Sequence, residues 1–176
     1  MEEEKNSKLQ RGLETFGNIF SLNIFFILFS IPVITIGASL TALYVVMLRI
    51  VRKEEGPVFK GFWEAFCKNF KKSTILWILV LVAFMVLGGE IVYVLNFTGA
   101  VVNFYMVVIA VEAVLLALVL PFLFPLSARY ENTVLNTIQN ALLLSISNLG
   151  AWIKVTVAWL APFLLSYYYP MLFINT

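Results

Sequence analysis

Long apolar runs separated by short clusters of charge set the pattern of this 176-residue sequence. A bilayer core takes about 20 consecutive, mostly apolar residues at about 1.5 Å of rise each. Against that length the pattern predicts five spans, at roughly 9–31, 38–53, 74–97, 101–127 and 150–170. Ile31-Pro-Val-Ile-Thr-Ile-Gly37 separates the first two, where a proline at a helix end and a conformationally free glycine make a tight turn. Thr98-Gly-Ala100 joins the third and fourth, and Pro162 is expected to kink the fifth. Runs this long exclude the alternating pattern of a membrane barrel, and backbone groups in lipid must be satisfied internally. The expected fold class is all-α: a polytopic helical membrane bundle forming a single membrane domain over residues 1–176.

Two further stretches are amphipathic at helical spacing. Phe59, Phe62, Trp63, Phe66 and Phe70 fall within about 100° of arc, with Lys68, Lys71 and Lys72 opposite or alongside. A helix over 59–72 is expected to lie in the membrane interface or to cap the ends of the bundle. A second interfacial helix is expected over 132–148. Leu9, Leu13, Phe16 and Phe20 repeat the same spacing, as do Leu135, Ile138 and Leu142, which raises the hypothesis of three leader-plus-hairpin units.

Charge then orients the chain. All twelve basic residues, from Lys5 to Lys154, fall at ends that the topology gathers on one side, whereas the turns near Thr35 and Gly99 carry none. The positive-inside rule places the N-terminus and these loops in the cytoplasm, and five spans put the C-terminus outside. Composition agrees, with 61% hydrophobic and only 12% charged residues, where soluble domains average about 25% charged. No secretory signal precedes the first span, which is expected to remain in the mature protein.

The residue inventory narrows the chemistry. There is no histidine or aspartate, and Cys67 is the single cysteine, expected as inert packing. Intrachain disulfides, Cys/His zinc sites and His-dependent catalytic groups are thereby excluded at the level of sequence. No Gly-rich phosphate loop is present, which argues against direct ATP use. No cofactor, no metal and no nucleic-acid partner is expected, and the chain reads as a non-enzyme.

Glu90 and Glu112 are the only ionisable residues deep within the predicted spans. A charged carboxylate at mid-helix costs about 2.5–3.5 kcal/mol on insertion scales, so such residues face the bundle interior or a wet cavity. Counted from Gly99, their depths differ by about 6 Å, which allows one shared site with hydrogen-bond partners among Tyr93, Asn96, Asn103 and Tyr105. One reading is a proton-coupled or cation-binding site, and the other is a pair of satisfied structural carboxyls. Gly88-Gly89 reads as a point of close helix approach. Ser30, Thr35, Ser39 and Thr41 either line a polar pocket or cap a helix start. Arg129, Tyr130, Glu131 and Asn132 form an elbow, in which Arg129 and Glu131 are expected to pair and Asn132 to cap the next helix.

Pro32-Val-Ile-Thr35-Ile-Gly37-Ala38 followed by Thr41-Ala-Leu-Tyr44 resembles the N-terminal signature of the YesL-like family of bacterial membrane proteins. Phe62-Trp-Glu-Ala-Phe-Cys-Lys-Asn-Phe-Lys-Lys72 and Ala128-Arg-Tyr-Glu-Asn132 fit it too, so the resemblance covers most of the chain. The resemblance implies a domain of unknown function without catalytic or binding residues to carry over. It also implies proximity to ATP-driven carbohydrate uptake systems, chiefly in Gram-positive bacteria. The expected role is a non-enzymatic accessory or regulatory component, with membrane lipids and subunits of a sugar transport or sensing system as partners. The alternative is a small homo-oligomeric transporter or channel using the intramembrane glutamates.

Overall fold

The computed structural model describes residues 2–54, 56–158 and 161. Among them the chain is all-α: α1 (Glu2–Phe29), a 3-10 turn (Val33–Thr35), α2 (Ile36–Val51), α3 (Val58–Asn96), α4 (Ala100–Arg129), α5 (Val134–Ser147) and α6 (Leu149–Ala158). Among the described residues four segments are long and apolar enough to cross a membrane, and a fifth is added if α5 and α6, bent by 106°, form one broken span. The protein is a multi-pass helical membrane protein. Residues 159–160 and 162–170 of the fifth predicted span, with Pro162, lie outside the described residues.

The break between α1 and α2 falls at Pro32 as expected, but α2 begins at Ile36 and holds Gly37 within the helix, not in the turn. Gly99, with φ of 119°, turns the chain between α3 and α4. One boundary differs. The amphipathic stretch 59–72 and the span 74–97 are a single 39-residue helix, about 58 Å long against a hydrocarbon core of about 30 Å. The change from lysines to apolar residues at Ser73 is a change of environment, and no glycine or proline between Gly61 and Gly88 interrupts the backbone hydrogen bonds.

Packing falls into two compact units, Met1–Val86 with Phe124–Val134, and Leu87–Leu123 with Leu135–Thr176. In the first, Leu22, Ala38, Ala42, Val46, Phe62, Ala65 and Phe66 form the core. The Phe29 ring lies 5.4 Å from Phe62 and 5.2 Å from Phe66, so α3 meets α1 through aromatic rings. Two residues of the expected interfacial face are thus core residues. Phe59, Trp63 and Phe70 remain about half exposed. On α1 the face carrying Leu13, Phe16 and Phe20 is exposed, which suits lipid, because tails are as apolar as leucine and burying such side chains against protein gains little. Cys67 is also exposed, contrary to its expected role in packing.

The second unit shows the same preference for small residues at contacts. Thr137, Ala141 and Ser145 form the buried face of α5, whereas Leu135 is exposed. Pro121 has no N–H to give the Ala117 carbonyl, and the Trp152 indole from α6 donates to that oxygen at 2.9 Å. Ser145 Oγ faces the neighbouring Leu118 carbonyl and also the Ala141 carbonyl at 2.8 Å. Asn148 starts α6, its Oδ1 accepting from the Ala151 amide at 3.1 Å. Gly88 and Gly89, expected at a close approach, have open space where a Cβ would stand.

Candidate functional site

The signature turn is a structural hub. Thr35 Oγ1 lies 2.6 Å from the Phe29 carbonyl oxygen and 2.7 Å from that of Pro32, so its one hydroxyl proton closes the end of α1. From α3, the Trp77 indole donates to the Val33 carbonyl at 2.7 Å and fixes the same turn. Gly37 then brings α2 against α3 with no side chain in the way. A Cβ at Gly37 would fall 2.5 Å from Trp77 Cβ, 3.2 Å from Phe124 Cε1, and closest of all to the Ser73 carbonyl oxygen.

One turn along, three hydroxyls join three helices. Thr41 Oγ1 of α2 is 2.8 Å from Ser73 Oγ of α3, which is 3.4 Å from Ser127 Oγ of α4. All three residues are buried, and Thr41 also approaches the Gly37 carbonyl at 3.0 Å. Of the polar residues Ser30, Thr35, Ser39 and Thr41, Thr35 closes the end of α1 and Thr41 fastens α2 to α3, whereas the buried Oγ atoms of Ser30 and Ser39 have no hydrogen-bond partner. Ser73, Ser127 and Trp77 were missed in the sequence. Their partners stand 32 to 54 positions away, beyond any helical periodicity.

At the basic end the elbow is built differently from expectation. Glu131 pairs with Lys68 of α3, and Arg129 instead lies over its neighbour Tyr130, 5.5 Å from the ring centroid. Lys72 Nζ donates to the carbonyls of Ser127 and Tyr130 at 3.3 and 3.2 Å, closing the C-terminal end of α4 with a cation where the helix dipole favours one. Asn132 stands too early to cap α5, which begins at Val134 and leaves Thr133 in the preceding position. Burial pushes the Lys72 ammonium below the usual lysine range, with Glu131 opposing that shift. The hydrogen bond and charge of Lys68 hold the Glu131 carboxyl below the usual carboxylate range. A lowered carboxyl contributes stability above its unfolded value, and that contribution is lost as pH falls through the folded one. Glu131→Gln is therefore expected to lower the melting temperature slightly at neutral pH. The difference from wild type should close as pH falls below the ordinary carboxylate range. A pH series of thermal melts in detergent checks this.

In the second unit Tyr93 and Tyr105 meet, with ring centroids 4.8 Å apart, and Tyr93 also stacks on Phe97 at 4.6 Å. That contact sets the register of α3 against α4. Glu90 lies three residues from Tyr93 and Glu112 seven from Tyr105, which offsets them along the axes by about 6 Å. Both glutamates are half-buried, on the same helical faces as the paired tyrosines. Glu90 Oε2 is buried without a hydrogen-bond partner. Asn96 donates to its own helix, to the Val92 carbonyl at 2.7 Å, and Asn103 is exposed. No group of three or more metal-binding side chains occurs among the described residues.

Residues 19–91 match the family described as Protein of unknown function, DUF624. The matched region runs from the middle of α1 into the second half of α3. It contains Phe29, Thr35, Gly37, Thr41, Phe62, Phe66, Ser73 and Trp77, so it covers most of the hub just described. The motif resemblance and this match both lead to an uncharacterised family. Neither a curated protein nor a solved structure matches the chain.

Proposed function

We propose that the chain is a non-enzymatic accessory or regulatory component of a membrane assembly serving carbohydrate uptake. It would sit in a bacterial plasma membrane with its N-terminus and basic end in the cytoplasm. The observation that carries this reading is the division of polar groups in the first unit. Within the apolar segments the hydroxyls of Thr41, Ser73 and Ser127 are turned on one another and hold helices together. The charged side chains gather instead at the basic end, around open cavities of about 730 and 310 Å³. A surface that offers charge and half-exposed aromatics such as Phe59 and Trp63 suits recognition by other subunits. The link to carbohydrate uptake rests on the motif resemblance.

Capture of the tagged protein from native membranes in mild detergent, with mass spectrometry, tests the proposal. Stoichiometric sugar-transport subunits are expected. Their release by Lys60→Glu with Lys71→Glu, at unchanged protein level, would place the contact on this end. Recovery of the chain only as a homo-oligomer overturns the accessory reading. The buried, unpartnered oxygen of Glu90 favours a second one, a small transporter working through the glutamates. Glu90→Gln and Glu112→Gln would then abolish uptake without changing the amount of folded protein, and unchanged uptake in both removes this alternative.

A further inference from the structure

The larger cavity of the first unit opens between α1, the α2–α3 connection and the first turns of α3, and its lining carries Glu14, Arg49, Lys53, Glu54, Lys60 and Glu64. Three cations face three carboxylates, yet two of those carboxylates are committed. Glu54 lies 3.8 Å from Arg52, and Glu64 lies 4.0 Å from Lys60. Among the described residues Arg49 and Lys53 have no ion-pair partner, and only Glu14 remains to oppose them.

The backbone is arranged around these two cations. The guanidinium of Arg49 lies over Gly61, where a Cβ would come within 3.2 Å of Nη1. Arg49 also lines the neighbouring 310 Å³ cavity, together with Lys68 and Arg129. Lys53 ends α2 in the left-handed region, with φ of 58°. The Lys53 amide donates to the Ile50 carbonyl and the Glu54 amide to the Arg49 carbonyl, both at 3.0 Å, the closing pattern in which glycine normally holds this position. A lysine here is a strained choice that sets a cation at the mouth of the cavity. The first turn of α3, which also lines the cavity, contains no acidic residue to balance its positive end.

We propose that this cavity binds a phosphate ester, and that its occupant is the headgroup of an anionic phospholipid from the adjoining leaflet. Arginine takes a phosphate through paired, charge-assisted hydrogen bonds, and Lys53 adds a second charge at the rim. The apolar wall distinguishes a lipid from a soluble ester. Val46, Ile50 and Val58 line the same cavity, and acyl chains would lie along them.

Native mass spectrometry of the purified full chain, titrated with phosphatidylglycerol, phosphatidylcholine or glycerol 3-phosphate, tests the assignment. Phosphatidylglycerol is expected to bind more tightly than the other two. Arg49→Gln should weaken its binding by about tenfold, the loss of one charge-assisted contact. Lys154→Gln, at an exposed lysine outside the lining, should leave it unchanged. Lys53→Gly separates binding from folding, since it should raise the melting temperature by relieving the left-handed residue while weakening phosphatidylglycerol binding. Equal binding of glycerol 3-phosphate assigns the cavity to a soluble ester and overturns the lipid. Unchanged phosphatidylglycerol binding in both Arg49→Gln and Lys53→Gly overturns the site.

Discussion

Gly37→Ala is expected to destabilise the protein more than any other single-methyl addition to a glycine of the chain. The added Cβ would meet Trp77 Cβ at 2.5 Å and would lie closer still to the Ser73 carbonyl oxygen. A backbone oxygen within a helix cannot rotate aside, so α2 and α3 must separate. Overpacking of this kind typically costs about 1–3 kcal/mol, and the upper end applies because no flexible side chain can give way. Separation would also stretch the 2.8 Å contact between Thr41 and Ser73, one turn along, and the 2.7 Å bond from Trp77 to Val33. Gly88→Ala and Gly89→Ala are the controls, because neither Cβ meets an atom within 4 Å. Those changes should be neutral or stabilising by about 0.5–1 kcal/mol, the helical preference of alanine over glycine. Thermal unfolding in detergent, followed by size exclusion, compares the three. A Gly37→Ala melting temperature equal to that of Gly88→Ala would show that the helices are not in close contact.

The contrast between these glycines shows which parts of the fold can be read from sequence. Pro32 marks the α1–α2 break because ring closure acts locally on the backbone, whereas Gly37, expected in the turn, lies inside α2. At Gly99 the missing side chain also acts locally, and the positive φ it permits marks the next turn. Whether a glycine also lies at a helix contact depends on the facing helix. Gly37 faces Ser73 and Trp77, whereas Gly88-Gly89 faces open space, and nothing in the neighbouring residues separates the two cases. Helix length was misread for a related reason. Lys71-Lys72 marks a change of surroundings, but α3 continues through it because each turn supplies its own hydrogen bonds.

Apolar periodicity is also a weaker guide here than in a soluble protein. In water, the face bearing Leu13, Phe16 and Phe20 would have to be buried, so its spacing would predict a contact. In lipid it is free to stay outward, and contacts pass to small and hydroxylated residues instead. Thr41, Ser73 and Ser127 accordingly carry more of the architecture than the aromatic pattern that first draws notice. Of the elbow, the position was legible from its charges and prolines. Its pairing was not, because Lys68 reaches Glu131 across 63 positions. The glutamates show the same limit. Counting residues from Gly99 gives their relative depth, which the Tyr93–Tyr105 contact reproduces, while the unpartnered oxygen of Glu90 depends on every side chain around it.

The second large effect is expected at the proline of α4. Trp152→Phe keeps an aromatic ring but removes the N–H that the Ala117 carbonyl accepts at 2.9 Å. That carbonyl has no helical donor of its own, since position 121 is proline. Left without a partner in an apolar setting, it should cost about 1–3 kcal/mol. Pro121→Ala restores a backbone N–H to the same carbonyl, so the indole becomes dispensable. In the Pro121→Ala background Trp152→Phe should therefore cost less, with a coupling of about 1 kcal/mol between the two positions. A double-mutant cycle of unfolding free energies in detergent measures this. Additive effects, agreeing within about 0.5 kcal/mol, would mean that the indole bond is incidental. Coupling would mean that the proline does more than bend α4. It exposes one carbonyl to a single donor, so that α6, carrying Trp152, docks in one register beside the Ser145 contact of α5.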